Sequence, residues 1–546
     1  MAIDEKHETL SHITLLTSHS RLTPKVFAHA WPGNGTELDP FRIEFLPDEP
    51  GNPMAFPTWK KWVLTVIMAV GTFSVTSSST TFSGAIPQIE ESFDVAKVVA
   101  TLAVSLFVAG FIIGPMAWSP LSELYGRQYI YLLTFGMGTL FGGASLACSD
   151  NLAGLLVLRF LSGAFAGACV NNSAGVIADM FPARERGLAL TIYCSAPFMG
   201  PTVGPLVSGF LASSTGWFWC DVLTVCLVAT MFLVGVLLVP ETYGPRLLIC
   251  RARSMTKSTG KVYRSKVEAE KGSRPARVVF REAMVRPWIL LATEPIVLLI
   301  AVYASIIYGI LFLALAAFPI VFGGVHGWSQ GISGLSFLGV IVGQVGAVFF
   351  YLWLDVRYKR VAAQWGGMAP AEERLPPALI GAPILTIGLF IFAWTTYASV
   401  HWIAPIIGAS LFGFGQVLLF ISMMNYTVDS YTIFAASALA ANAILRSLFG
   451  AAFPLFTPVM YAKLGPQWAS SIPAFLSLAC TPLPFLFRRY GKAIRDKCKY
   501  SAESQRIWTA MMSAQRAVRA EGSSVESSMD ELTSVGATGE KGAERV

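Results

Sequence analysis

The chain has 546 residues, of which 54% are hydrophobic and 13% charged, with 40 Lys+Arg against 33 Asp+Glu for a net charge of +7. A soluble domain carries about 25% charged residues, so whole-chain disorder and nucleic-acid binding are excluded and a chain solvated mostly by lipid is implied. The eight cysteines show no paired spacing and most sit in apolar runs, where they read as small hydrophobes rather than disulfide or metal sites.

In chain order, residues 1–60 are polar, broken by prolines from Pro24 to Pro53, and lack the apolar run of a signal peptide. They predict a disordered cytosolic tail. Six windows of about 20 apolar residues follow within 61–239, at 62–81, 98–118, 129–148, 152–178, 188–211 and 217–239. Residues 240–287 form a basic linker with Arg246, Arg251, Arg253, Lys257, Lys261 and Arg264 among its cations. Six further windows lie within 288–488, at 291–322, 332–354, 378–394, 402–424, 434–461 and 468–487, and a second tail covers 489–546. The prediction is an all-α integral membrane protein of twelve transmembrane helices in two pseudo-symmetric six-helix bundles.

Twelve spans put both termini on one side. The linker cations, against only Lys97 and Lys463 in the opposite connections, put that side in the cytosol. The sequons at Asn34, Asn171 and Asn425 then fall in the inner tail, inside a span and at an inner end, where none is glycosylated. Residues 501–520 place Ile507, Met511, Ala514 and Val518 on one helical face, which suits either the inner leaflet or a solvated tail helix. The halves echo one another: Asp179-Met180-Phe181 follows span four and Asp429-Ser430-Tyr431 follows span ten.

Charges inside spans carry the functional expectations. Arg159 lies about 10 Å into span four, where a guanidinium either faces a wet cavity or snorkels to an interface. Arg446 in span eleven, one turn after Asn442, reads equally as an interhelical pair or a pathway group. The acids available for proton coupling are Glu294, Asp221 and Asp179; no histidine falls within a span. Glu294, preceding Pro295, is the preferred proton-sensitive group, with an inner-leaflet salt bridge as its rival reading, and Arg159 and Asp221 complete the set. The connection after span two, ending Glu123-Leu124-Tyr125-Gly126-Arg127, packs an acid, a glycine and a cation into a tight turn. It reads either as a conformational latch, joined by Asp179, Arg184 and Arg186, or as topogenic charge plus a turn. Gly200, Pro201, Gly204, Pro205 and Gly209 in span five suit close helix approach and bending. The expected substrate cavity draws on Ser78, Thr81, Arg159, Asn171, Asn172, Tyr303, Tyr308, Gln416, Asn425 and Asn442, a mixture of amides, hydroxyls and aromatics with little fixed charge.

The run Gly114-Pro115-Met116-Ala117-Trp118-Ser119-Pro120-Leu121-Ser122-Glu123-Leu124-Tyr125-Gly126-Arg127 resembles the signature loop of the major facilitator superfamily, in the form of its fungal drug:proton antiporters with twelve spans. Arg159-Phe160-Leu161-Ser162-Gly163, the span-five motif from Ala196 to Gly209, Pro240-Glu241-Thr242-Tyr243 and Glu373-Arg374-Leu375-Pro376 extend the likeness along the chain. Gln128 departs from the basic residue expected there, leaving Arg127 as the latch cation. The resemblance implies a proton-coupled exporter of drugs, toxins or a secondary metabolite working by alternating access. The alternatives are a proton symporter importing a nutrient and a non-transporting sensor of the same fold. No nucleotide or hydrolase motif is present, so neither enzyme activity nor a cofactor or metal is expected. The partners implied are a small-molecule substrate, protons and the lipid bilayer, without nucleic acid, for a monomer in the plasma membrane or, alternatively, a vacuolar or other internal membrane.

Overall fold

The computed structural model describes residues 16, 22–46, 49–182, 185–272, 275–364 and 369–506; Arg184 and all but the first six residues of the 501–520 segment lie outside the described residues. Among the described residues, ten helical stretches are long and apolar enough to cross a bilayer by length and composition. Two features of sequence reconcile these with twelve spans. The Arg186–Thr215 helix, the fifth, has the length but is diluted by hydroxyls, glycines and Pro197, Pro201 and Pro205. The longest stretch, Ala435–Lys497, is two spans joined at Gly465, whose φ of 74° no ordinary L-residue adopts cheaply.

The helices fall into two sets with the same internal packing. Span four (Leu152–Ala166, continuing as Cys169–Met180) packs on spans two (Lys97–Gly110) and three (Arg127–Ser145), as span ten (Ile403–Tyr431) packs on spans eight (Phe337–Gln364) and nine (Pro376–Trp394). Span one (Thr58–Thr80) lies against span five, and span seven (Pro295–Phe318) against span eleven. Between the sets, span five meets span eight and span two meets span eleven, two contacts exchanged by the pseudo-two-fold.

Small residues set the close approaches. A Cβ on Gly163 would collide with the Phe107 carbonyl oxygen, and one on Gly343 with the Ser410 carbonyl oxygen, at the span two–four and eight–ten contacts respectively. In span one, Ser78 donates to the Ser74 carbonyl at 2.8 Å and Thr81 to the Ser77 carbonyl at 3.0 Å, so these hydroxyls are satisfied within their own helix. Ser77 donates across to the Gly200 carbonyl at 3.0 Å, and Cβ atoms on Gly200 or Gly204 would collide with Thr76 or Thr80.

The first tail departs from expectation. Residues 22–46 and Glu49 fold back on the linker instead of trailing as a disordered tail: β1 (Phe41–Ile43) pairs in parallel with β2 (Tyr263–Ser265). Val26, Trp31 and Ile43 share a small core with Leu248, Ala252 and Met255 of the linker helix Gly244–Thr259. Inside it, Arg251 pairs with Glu49, both nearly unexposed. The prolines that break helix periodicity here favour turns and extended backbone, and the apolar residues between them are enough for a satellite core.

Candidate substrate cavity

A cavity of about 300 Å³ lies between the two sets, walled by spans two, four and five on one side and spans ten and eleven on the other. Its mouth is formed by Glu123, Arg127 and Arg186, on the side that carries the linker, and its deep end by Tyr193, Pro197, Phe420 and Arg446. Beyond that end the halves are closed. The Phe198 ring packs edge-on against Phe420 at 4.5 Å and Tyr308 at 5.8 Å. Gln344 of span eight donates to the Thr202 hydroxyl of span five at 3.1 Å, and Gln330 donates to the Gly84 carbonyl farther out.

The turn after span two is built around one carboxylate. Glu241, buried beyond the end of span six, accepts from the backbone N–H groups of Arg127 (3.0 Å), Gln128 (3.3 Å), Thr242 (2.9 Å) and Tyr243 (2.7 Å). Two of these are orphan donors of span three, so Glu241 caps a helix from more than a hundred residues away. Gly126 has φ 106°, and a Cβ there would strike the Glu241 carboxylate. Gln128 donates to the Val239 carbonyl at 2.9 Å, tying the turn to the end of span six. Arg127 reaches the other way, donating to Asp179 at 3.1 Å and Ser122 at 2.6 Å, with Glu123 at 4.0 Å. Burial pushes the phenol of Tyr243, whose ring lies 5.0 Å from the Arg127 guanidinium, up to about 12. Arg186 donates to the Ala178 and Phe181 carbonyls at 2.9 and 3.3 Å, capping the end of span four.

The second half repeats this clasp with different residues. Arg374 donates to Asp429 at 2.8 Å, lies 3.8 Å from Asp355, and has its guanidinium 3.5 Å from the Tyr358 ring. Burial works against its charge, but Asp429 and the neighbouring groups more than restore it, so its pKa is raised. Arg495 grips Glu372 alongside at 2.6 Å. Asp429 is legible in the sequence as the echo of Asp179, but its cation is not; the matching Arg374 stands one connection earlier, as Arg127 does.

Of the expected cavity residues, Asn171, Asn425 and Asn442 line it. Tyr308 packs behind Arg446, 4.9 Å from its guanidinium, and Gln416 meets Gln344 at 3.5 Å, both at the closed end. Ser78, Thr81, Asn172 and Tyr303 are buried elsewhere among the helices. Arg159 is also away from the cavity, inside the first bundle. It donates to the Ser78 carbonyl at 3.0 Å and the Ala103 carbonyl at 3.3 Å, lies over the rings of Phe82 and Phe107, and faces Asp221 at 3.9 Å. Asp221 in turn accepts from Ser145 at 2.6 Å. Glu294 sits at the start of span seven, accepting from the Tyr431 hydroxyl and the Tyr500 backbone N–H at 2.9 Å each, outside the cavity lining and without an ion-pair partner among the described residues. In span five, Gly200 and Gly204 face span one, whereas Gly209 faces Gln330 and Gly331 at the closed seam.

The expectation of little fixed charge in the cavity gives way at both ends, at the mouth with Glu123, Arg127 and Arg186 and at the deep end with Arg446. Arg446 is 6% exposed and lines the deep end, with rings on two sides. Tyr193, Phe420 and Met424, which carry no sequence signal beyond their place on facing spans, complete the apolar wall.

Residues 68–454 match the family model of the Major Facilitator Superfamily. The chain is 46% identical over 516 residues to "Efflux pump FUB11" of Gibberella moniliformis, covering 94% of this chain and 87% of that one. It is 47% identical over 490 residues to "Major facilitator superfamily multidrug transporter mdrA" of Aspergillus fumigatus, covering 90% and 81%. Among solved structures, the human organic anion transporter MFSD10 aligns with a TM-score of 0.56 at 16% identity, over 78% of this chain and all of that one. The xylose transporter XylE from E. coli, in a partially occluded inward open conformation, aligns at 0.55 and 15% identity, over 79% and 98%. At such identities these two speak for the fold alone.

Proposed function

Because the chain belongs to the major facilitator superfamily, we propose that it is a proton-coupled secondary exporter of small amphipathic molecules, monomeric, in the plasma membrane with both termini cytosolic. The observation that carries the reading is the cavity between the two bundles, closed on one side and bordered on the other by the linker-side clasps. The basic linker supports a cytosolic reading of that side, on which the cavity faces the compartment from which an exporter loads. The efflux and multidrug names of the relatives favour this direction.

Alternating access then consists of rocking the bundles about the span five–eight and two–eleven contacts, closing the cytosolic mouth as the Phe198 and Gln344 seam opens. For the coupling proton we favour Asp221 over Glu294. Asp221 faces a cation across 3.9 Å with no hydrogen bond between them, so protonation would release Arg159 to its carbonyl and ring contacts. Glu294, already held by two donors, serves better as an anchor for the end of span seven. The test is dye accumulation in yeast lacking its own pumps, with and without a protonophore. Expression should lower the intracellular fluorescein level and the protonophore should abolish the difference; unchanged or raised accumulation contradicts export.

A further inference from the structure

Five arginines are buried among the described residues, and four of them face a carboxylate: Arg127 with Asp179, Arg159 with Asp221, Arg251 with Glu49, Arg495 with Glu372. The fifth, Arg446, has no carboxylate within ion-pair distance and donates no hydrogen bond to any described residue; its Nε is fully buried and unpaired. Its contacts are the faces of Tyr308 and Phe420, 4.9 and 5.2 Å from the guanidinium. Arg446 begins the fourth turn of span eleven, about 16 Å from its start, at the deep end of the cavity. One turn earlier on the same face, the buried amide nitrogen of Asn442 is also without an acceptor.

A desolvated guanidinium without a counter-ion is costly, and two ring faces offset only part of that cost. Two donors one turn apart on a cavity-lining helix, neither with an acceptor among the described residues, describe a site whose acceptor arrives with the ligand. The guanidinium fork matches a carboxylate bidentately, and the rings beside it, with Met424 and Leu439, offer apolar surface to the rest of the molecule.

We propose that Arg446 and Asn442 form an anion subsite, so that the substrates are small organic anions: a carboxylate carried on a flat, apolar body. This rests on the export reading for the direction of movement only; recognition of the ligand stands on the cavity itself.

The experiment measures binding of 2-naphthoate and its neutral isostere 2-naphthamide to the purified full chain by calorimetry near neutral pH. The wild type should bind the carboxylate about 10- to 100-fold more tightly than the amide, the range expected of a charge-assisted hydrogen-bonded pair. Arg446→Gln should bring that ratio to about one, while Arg446→Lys, which keeps the charge but loses the fork, should retain part of it. Asn442→Asp keeps the arginine and supplies an internal counter-ion one turn away, so it should also abolish the preference even where the glutamine variant fails to fold. Equal affinities, no naphthoate binding by the wild type, or a preference that survives in Arg446→Gln or Asn442→Asp would overturn the proposal. A carboxylate preference in a protein that fails the dye efflux test leaves the subsite standing and removes the export reading; efflux without the preference does the reverse.

Discussion

Gly126→Ala is the smallest change that tests how the span-two turn is built. At φ 106° and ψ 154° the backbone occupies a region that costs a non-glycine residue roughly 1–3 kcal/mol. The new methyl would also displace the Glu241 carboxylate from the N–H groups of Arg127 and Gln128. Each hydrogen bond to a charged group contributes about 1.5–3 kcal/mol, and partial relaxation of the carboxylate would save some of it. Together these give a destabilisation of about 3–5 kcal/mol, measured by SDS-titration unfolding of the purified chain. The two parts separate in a double-mutant cycle: with Glu241→Ala the collision is gone and only the backbone strain of Gly126→Ala remains, so the coupling should be about 1.5–3 kcal/mol. Wild-type stability in Gly126→Ala, or losses that simply add in the double variant, would refute the capping role of Glu241.

Three further outcomes follow from the same geometry. Arg374→Ala leaves the partly buried Asp429 without its cation and should cost about 2 kcal/mol, with transport lost; exchanging the pair as Arg374→Asp with Asp429→Arg should recover part of both in the same unfolding and efflux assays. Asp221→Asn keeps a hydrogen-bond acceptor for Ser145 but removes the charge facing Arg159. It should exchange labelled substrate in counterflow yet fail to use a pH gradient, and gradient-driven transport by this variant would exclude Asp221 as the proton site. Trp31→Ala empties the satellite core and breaks the indole bond to the Val26 carbonyl, a loss of about 3–5 kcal/mol confined to that unit. Hydrogen exchange should accelerate in 22–46 and in the linker helix while the spans keep their protection.

The architecture was legible because a bilayer leaves few options: apolar windows of bilayer length must be helices, and the basic linker orients them. The clasp residues Glu123, Arg127 and Asp179 were legible as charges at helix ends, and the structure brings them together. What the sequence could not give was which way a residue faces. Arg159 and Arg446 look alike as cations inside spans, yet Arg159 turns to Asp221 within its bundle and Arg446 to the cavity. Ser78 and Thr81 read as part of a polar cavity wall, but hydroxyls in a helix can satisfy themselves on preceding carbonyls, and both do. Glu241 looked like a motif letter until Gly126, 115 positions away, proved to lie against it. The fold of residues 22–46 onto the linker escaped periodicity because its core is assembled from short apolar pieces far apart in sequence.

The central claim, that an inward proton gradient drives a molecule out through this cavity, is tested most directly in vesicles reconstituted with the cytosolic face outward. With an acidic lumen standing for the cell exterior, labelled substrate should accumulate inside, and nigericin should collapse the accumulation. Uptake that ignores the gradient, or that appears only when the gradient is reversed, would contradict proton-driven export and favour an importer of the same fold.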